Sequence, residues 1–136
     1  MPIERGFLKE ATPHVKVRIW GTDQLAAREF DGVIDTGFNG FISMPAESAL
    51  AVGLAANIAT TVTHADGKGG DTPSGIGWAS FNGETRSEVV LVYKESTEVL
   101  LGMRFLEVFD LGLVILRGRV WLIPMAELTG TQIDLP

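Results

Sequence analysis

Apolar and polar residues alternate along much of the chain with the period of two that is typical of β-strands. In residues 15–20, for example, valine and isoleucine occupy every second position, which predicts a half-buried strand. Asn82-Gly83 and Arg117-Gly118 separate such segments and favour tight hairpins. We expect strands at residues 15–20, 25–35, 41–44, 58–64, 76–81, 86–93, 99–101, 111–116 and 119–123.

Helical segments are few and short. Pro45 is suited to the first turn of a helix that continues to residue 52, and Gly53 is suited to its end. Met103–Val108 is expected to form one or two helical turns. Pro73 lacks an amide hydrogen, so the strand near it is expected to start late or to lie at a sheet edge. The pattern predicts an all-β fold, a small barrel or sandwich, with one short helix after Met44 and no clear strand in either tail.

Composition narrows the function classes. The chain has 136 residues, which suits one domain, with its core expected at about residues 14–123. There is no cysteine, so disulfides, thiol catalysis and zinc–thiolate sites are excluded. The net charge is −6 and the basic residues are scattered, which argues against nucleic-acid binding. Short apolar runs and no signal-peptide pattern favour a cytoplasmic protein without membrane contact, and we expect no metal or cofactor.

The sequence from residue 33 to residue 42 is the strongest candidate for chemistry. Asp35 follows the apolar pair Val33-Ile34, which places a carboxylate at the end of a buried strand, where it is costly to desolvate. In a purely structural interpretation, Asp35-Thr36-Gly37 is an ordinary turn held by the Asp side chain. In a catalytic interpretation, two such carboxylates share one proton and activate water. Because the motif occurs once, the second carboxylate would come from a second copy of the chain.

Three segments together resemble one protein family. Residues 33–45 are similar to the active-site segment of retropepsin-like aspartic proteases, particularly the small prokaryotic branch with Asp-Thr-Gly-Phe. Residues 99–106 are similar to the Leu-Leu-Gly-Met segment that packs beneath the catalytic loop in that family. Residues 64–68, His-Ala-Asp-Gly-Lys, resemble the start of the flap hairpin. The order and spacing of the segments fit the family across residues 14–123.

The resemblance implies a small closed retropepsin-like β-barrel and a homodimeric aspartic endopeptidase without a cofactor. Asp35 of each copy would be catalytic, one carboxylate drawing a proton from water and the other hydrogen-bonding the scissile carbonyl of a peptide or protein substrate. Thr36 would join the two loops across the dimer axis, and Gly37 would let the backbone approach the substrate. Leu101 and Gly102 would support the loop from below.

The predicted flap is the glycine-rich hairpin around residues 66–71. Asp66, Gly67 and Gly69 are its candidate substrate contacts, although an ordinary surface turn explains the same residues equally well. Trp78 would line the cleft or pack in the core, and general burial preferences favour the core.

Other residues leave alternatives open. Arg104 occupies a position where many relatives carry an acidic or small polar residue, and its partner is expected to be Asp110, Glu107, Asn39 or solvent. His14 and His64 are expected to be surface or loop residues. The rival hypothesis for function is a catalytically inactive dimerisation or peptide-binding module on the same fold, in which Asp35 serves loop structure.

Overall fold

The structure is a computed structural model that describes residues 4–63, 67 and 69–128. Its strands are β1 (Glu4–Arg5), β2 (Phe7–Lys9), β3 (Thr12–Trp20), β4 (Arg28–Ile34), β5 (Ile42–Pro45), β6 (Ile58–Thr63), β7 (Gly69–Phe81), β8 (Glu84–Tyr93), β9 (Val99–Leu101), β10 (Leu111–Leu116) and β11 (Arg119–Pro124). Its helices are α1 (Ala46–Ala51), α2 (Met103–Val108) and α3 (Met125–Leu128), with one 3₁₀ turn at Gln24–Ala26.

Six strands close into a ring. The order of neighbours is β3, β4, β9, β5, β8 and β7, and β7 pairs back onto β3 through Trp78 and Trp20. The β4–β9 and β5–β8 pairs are parallel and the other pairs of the ring are antiparallel. A second sheet has the order β1-β11-β10. The all-β barrel expected from the sequence is thereby confirmed.

The alternating burial of side chains along β3 and the two tight hairpin turns agree with the sequence pattern. Val15, Val17 and Ile19 are buried, whereas Lys16 and Arg18 between them are exposed. Both predicted hairpin turns have two successive residues with positive φ, namely Asn82 and Gly83 (52° and 80°) and Arg117 and Gly118 (52° and 74°). Such turns match the right-handed twist of the strands that they join.

Two predicted strand starts are wrong. The strand expected from residue 25 begins at Arg28, because Asp23 accepts a hydrogen bond from the Leu25 N–H and starts a 3₁₀ turn. The strand β7 begins at Gly69 and continues through Pro73 instead of starting late. Pro73 is tolerated because β7 pairs there with β6 alone, and the β7–β8 pairing begins at Ser74. The expectation of a strand edge at Pro73 therefore holds.

The sequence missed the N-terminal strands and the short helix α3. The strands β2 and β3 are joined at Glu10 and Ala11, which have φ values of 52° and 62° although neither is Gly or Asn. The hairpin therefore carries no turn signature. The helix α2 forms where one or two turns were expected, and α3 was not expected at all.

The core fills the ring. Four aromatic side chains form its centre, with ring centroids 4.8–6.5 Å apart: Phe41, Phe81, Phe105 and Phe109. Among the described residues, no helix is long and apolar enough to cross a membrane. Within the same residues, no group of His, Asp and Glu side chains is arranged to hold a metal ion.

Candidate active site

Asp35 begins the loop of residues 35–41, here called the Asp35 loop, directly after β4. Its N–H donates to the carbonyl oxygen of Leu101 at 2.9 Å, which continues the pairing of β4 with β9. Its Oδ1 accepts a hydrogen bond from the Gly37 N–H at 2.9 Å, and its carbonyl oxygen accepts one from the Phe38 N–H at 3.1 Å. Asp35 is half-buried, so the loop holds the carboxylate in place at the protein surface.

Strand alternation assigns Asp35 to the outer face of the ring. Ile34 belongs to the core cluster, and side chains on either side of it along β4 point the other way. Val33 and Asp35 therefore share one face. Val33 lies opposite His14 on β3 and Leu100 on β9, which places those two side chains on the same face.

The start of α2 fastens the Asp35 loop through the backbone. Three successive amide N–H groups donate to carbonyl oxygens of the loop. The donor–acceptor pairs are Gly102–Phe41 at 3.0 Å, Met103–Phe38 at 2.8 Å and Arg104–Gly40 at 3.1 Å. The side chain of Leu101 is buried in the core just before them. The segment predicted to support the loop thus contacts it along most of its length.

Gly102 permits this close approach. A methyl group on Gly102 would overlap the carbonyl oxygens of Gly40 and Phe38. We therefore expect Gly102→Ala to lower the free energy of unfolding by about 1–3 kcal/mol, because the loop and α2 have to move apart. Urea unfolding followed by circular dichroism measures this change.

Gly70→Ala is the matched control for Gly102→Ala. A methyl group on Gly70 meets no atom within 4 Å, and its φ is not positive. Its unfolding free energy is expected to stay within about 0.5 kcal/mol of the unsubstituted protein. Equal stability of the Gly102 variant and this control would contradict the assigned packing.

Arg104 links α2 to the barrel. Its guanidinium donates to Glu88 Oε1 at 2.7 Å and to Glu107 Oε2 at 3.1 Å. The hydrogen bond to Glu88, followed by that to Glu107, raises the pKa of Arg104 above its ordinary value. The sequence had suggested Glu107 but missed Glu88, because Glu88 lies on β8 and reaches Arg104 only through the fold.

A cavity of about 450 Å³ separates the Asp35 loop from β6. Its lining comes from the loop, from the outer strand of the β6–β7 hairpin and from β8. The residues are Gly37, Phe38, Asn39, Gly40, Thr60, Thr61, Val62 and Leu91. Apart from Gly37, the sequence did not single out these residues as cavity-lining. These residues come together because the barrel places β6 beside the Asp35 loop.

Two of the predicted flap residues, Gly67 and Gly69, lie between β6 and the start of β7. Gly67 is exposed with a φ of 81°, and Gly69 is exposed opposite Thr63 at the start of β7. Asp66 and His64 lie outside the described residues. The hairpin is therefore placed beside the cavity, whereas its contact with a substrate stays a prediction.

His14 and Trp78 differ from the simplest expectation. His14 is buried, with 7% of its surface exposed, and stacks on Phe7 at 5.2 Å, so its prediction as a surface residue is wrong. Trp78 stacks on Trp20 at 6.4 Å and remains 40% exposed, so the expectation that it packs in the core is wrong. Trp20 ends β3, six residues and about 20 Å along the strand from His14, which lies opposite Val33 near the Asp35 loop. Trp78 is thus remote from the Asp35 loop.

Thr36 does not line the 450 Å³ cavity but lines another one. This second cavity, of about 470 Å³, is mainly apolar and lies between the Asp35 loop, α2 and the second sheet. The lining residues are Thr36, Met103, Leu106, Glu107, Asp110, Leu111, Leu113 and Met125. Asp35 lines neither of these two cavities, whereas Thr36 and Gly37, the next two residues of its loop, each line one of them.

Comparisons with known proteins identify the fold. No protein-family model matches the chain, and no curated protein has significant sequence similarity to it. A retropepsin-like aspartic protease from Rickettsia conorii has a similar structure, with a TM-score of 0.63 and 16% identity over 89% of this chain and 91% of that one. EIAV protease in complex with an inhibitor gives a TM-score of 0.58 and 16% identity over 80% of this chain and 98% of that one. The chain therefore has the fold of the retropepsin-like aspartic proteases.

Proposed function

We propose that this chain is an aspartic endopeptidase that acts as a homodimer. The observation that carries the proposal is the position of Asp35, which follows β4 and is held by backbone hydrogen bonds in a loop whose residues 37–40 line a cavity bordered by β6. Similarity to the Rickettsia conorii and EIAV proteases supports hydrolase chemistry for this geometry. Placement in the small prokaryotic branch and in the cytoplasm is part of the proposal.

The chemistry proposed for the site needs two Asp35 carboxylates. Close to each other, they cannot both be ionised without strong repulsion, so the pair retains one proton. The ionised carboxylate takes a proton from a water molecule, and the water oxygen attacks the peptide carbonyl carbon. The protonated carboxylate donates its proton to the carbonyl oxygen, and collapse of the tetrahedral intermediate breaks the C–N bond with proton transfer to the leaving amine.

An extended peptide fits the proposed substrate cavity. Among the described residues, β6 pairs only with β7, so its other edge has backbone N–H and C=O groups available to a peptide strand. Phe38, Val62 and Leu91 supply apolar surface in the same cavity. We therefore propose that cleavage sites with apolar side chains near the scissile bond are preferred.

The alternative is a catalytically inactive dimerisation or peptide-binding module. The observation behind this alternative is the hydrogen bond from the Gly37 N–H to Asp35 Oδ1, which would give the carboxylate a purely structural role in the turn. The two functions make different demands on Asp35, since a binding module retains its peptide when the carboxylate becomes an amide, whereas an enzyme loses turnover.

The test is cleavage of a peptide library by the protein between about pH 4 and pH 7. Asp35→Asn is the control, and a statine-type transition-state mimic is the inhibitor. Cleavage that is abolished by both supports the enzyme. Peptide binding without cleavage, equal for the unsubstituted chain and the variant, would replace the proposal with the binding module.

A further inference from the structure

Three large apolar side chains lie exposed on one face of the strands β6 and β7. Ile58, Ile76 and Trp78 are 41%, 49% and 40% exposed. Ile76 and Trp78 are two residues apart on β7, so their side chains point to the same side. Ile58 lies opposite Ser74, which is two residues before Ile76, so Ile58 and Ile76 are diagonal neighbours on this face. The three residues are here called the Ile76 patch.

The Ile76 patch shares the outer face of the barrel with Asp35. Directly paired residues of neighbouring strands point to the same side of a sheet. A row of such pairs connects Val33, which shares a face with Asp35, to Ser74 in front of Ile76. The pairs are Val33–Leu100, Leu100–Ser43, Ser43–Leu91 and Leu91–Ser74. The patch therefore lies on the side of the barrel from which a substrate would reach Asp35.

The Ile76 patch also borders the 450 Å³ cavity. Leu91 lines the cavity and is a diagonal neighbour of Ile76, because its own partner on β7 is Ser74. Thr60 lines the cavity as well and lies two residues after Ile58 on β6. The cavity proposed for the substrate thus continues along two strands into exposed apolar surface. Continuous exposed apolar surface is typical of an interaction site.

The open edge of β6 leads from the cavity to the patch. Val62 lines the cavity, and Ile58 lies four residues earlier on the same strand, about 13 Å away at the usual strand rise. Among the described residues, β6 pairs only with β7. A peptide that pairs with the open edge beside Val62 and stays extended therefore reaches Ile58 about four residues further along.

We infer that the Ile76 patch binds an apolar segment of the substrate polypeptide, about four or more residues away from the substrate residue beside Val62. The inference rests on the proposed function, because its occupant is the chain whose peptide bond is cleaved. Apolar side chains suit the patch, since its three members are apolar and the residues opposite Ile76 and Trp78 on β8, Val89 and Ser87, are uncharged. In a homodimer each copy offers one patch, so either end of a substrate meets one.

The patch is expected to act on KM and not on kcat. None of its three residues lines the cavity beside the Asp35 loop, so its contacts with a substrate are the same before and during bond cleavage. Binding that is equally strong in the ground state and the transition state lowers KM without raising kcat.

A peptide confined to the cavity is compared with the same peptide extended at either end by about six residues that include leucine and phenylalanine. The extended peptides are expected to have a KM lower by about tenfold, with kcat unchanged. Extended peptides whose added residues are glycine and serine are the control for length alone, and they are expected to gain nothing. An equal KM for the short and the apolar extended peptides would overturn the inference.

Ile76→Thr and Ile58→Thr remove apolar surface from the patch and keep a β-branched side chain that suits a strand. Each variant is expected to raise KM for the apolar extended peptides about threefold to tenfold and to leave the short peptide within about twofold. Leu50→Thr is the matched control, since Leu50 is 82% exposed on α1, which packs against the core through Ala49. If both patch variants keep the advantage of the extended peptides, the inference is wrong.

Binding to Asp35→Asn separates this inference from the proposed function, because fluorescence anisotropy of labelled peptides measures affinity without cleavage. If no peptide is cleaved, but Asp35→Asn binds the extended peptides more tightly and Ile76→Thr removes this gain, the patch is supported and the enzyme is refuted. If the short peptide is cleaved and extension changes neither KM nor affinity, the enzyme is supported and the patch is refuted. Self-association that Ile76→Thr weakens, with peptide affinity unchanged, would assign the surface to a second copy and also refute the inference.

Discussion

Asp35→Asn is expected to lower kcat/KM for peptide cleavage by about 10⁴-fold, because an amide can neither take a proton from water nor give one to the scissile carbonyl. Asparagine has nearly the same shape and its Oδ1 still accepts the hydrogen bond from the Gly37 N–H. The fold and the dimer are therefore expected to be unchanged. Initial rates on a peptide cleaved by the unsubstituted chain, at matched dimer concentration, measure the loss.

Mixing the Asp35→Asn variant with the unsubstituted protein tests whether both carboxylates of a dimer are needed. When Asp35→Asn is added in excess to the unsubstituted protein and subunits exchange, most unsubstituted chains enter mixed dimers with a single carboxylate. Activity is then expected to fall as the variant is added, whereas added Leu25→Lys carries an intact Asp35 and leaves it undiminished. Constant activity in the presence of excess variant would mean that one chain suffices, and a shared dyad would be excluded.

Phe105→Ala is expected to lower the free energy of unfolding by about 3–5 kcal/mol, the usual range for removing a buried phenylalanine ring. Phe105 has no exposed surface and lies 4.8 Å from Phe109 and 5.8 Å from Phe41 between ring centroids. The cavity left by alanine lies directly beneath the Asp35 loop. Urea or thermal unfolding measures the stability, and peptide cleavage below the transition reports whether the loop has shifted.

Leu50→Ala is the control for Phe105→Ala. Leu50 lies on α1 with 82% of its surface exposed, so its truncation removes little packing. Its unfolding free energy is expected to change by less than about 0.5 kcal/mol. A loss for Phe105→Ala that is no larger than the loss for Leu50→Ala would contradict the central place given to the aromatic cluster.

Local sequence rules worked wherever neighbours along the chain decide the structure. Alternation at Val15, Val17 and Ile19 predicted one face of β3, and Asn82-Gly83 predicted the hairpin between β7 and β8. These signals are strong because backbone sterics and turn chemistry act within a few residues. The Glu10-Ala11 turn was missed for the same reason, since its positive φ angles have no local signature and depend on the pairing of β2 with β3.

Contacts between residues far apart in the sequence could not be predicted from local sequence patterns. Glu88 and Arg104 meet because β8 and α2 flank the same loop, and nothing in the spacing of the two residues suggests an ion pair. His14 was predicted at the surface because it precedes a strand, yet β2 covers it through Phe7. The cavity between Phe38 and Val62 likewise required the barrel to place β6 beside the Asp35 loop.

The sequence alone determined an all-β chain with a single Asp-Thr-Gly turn after a buried strand, because alternation, turn residues and the cost of burying a carboxylate are read from neighbouring positions. Only the tertiary structure decided what surrounds that carboxylate. Strand pairing set the opening between the Asp35 loop and β6, and the fold set the ion pair between Glu88 and Arg104, because both depend on residues far apart in the chain.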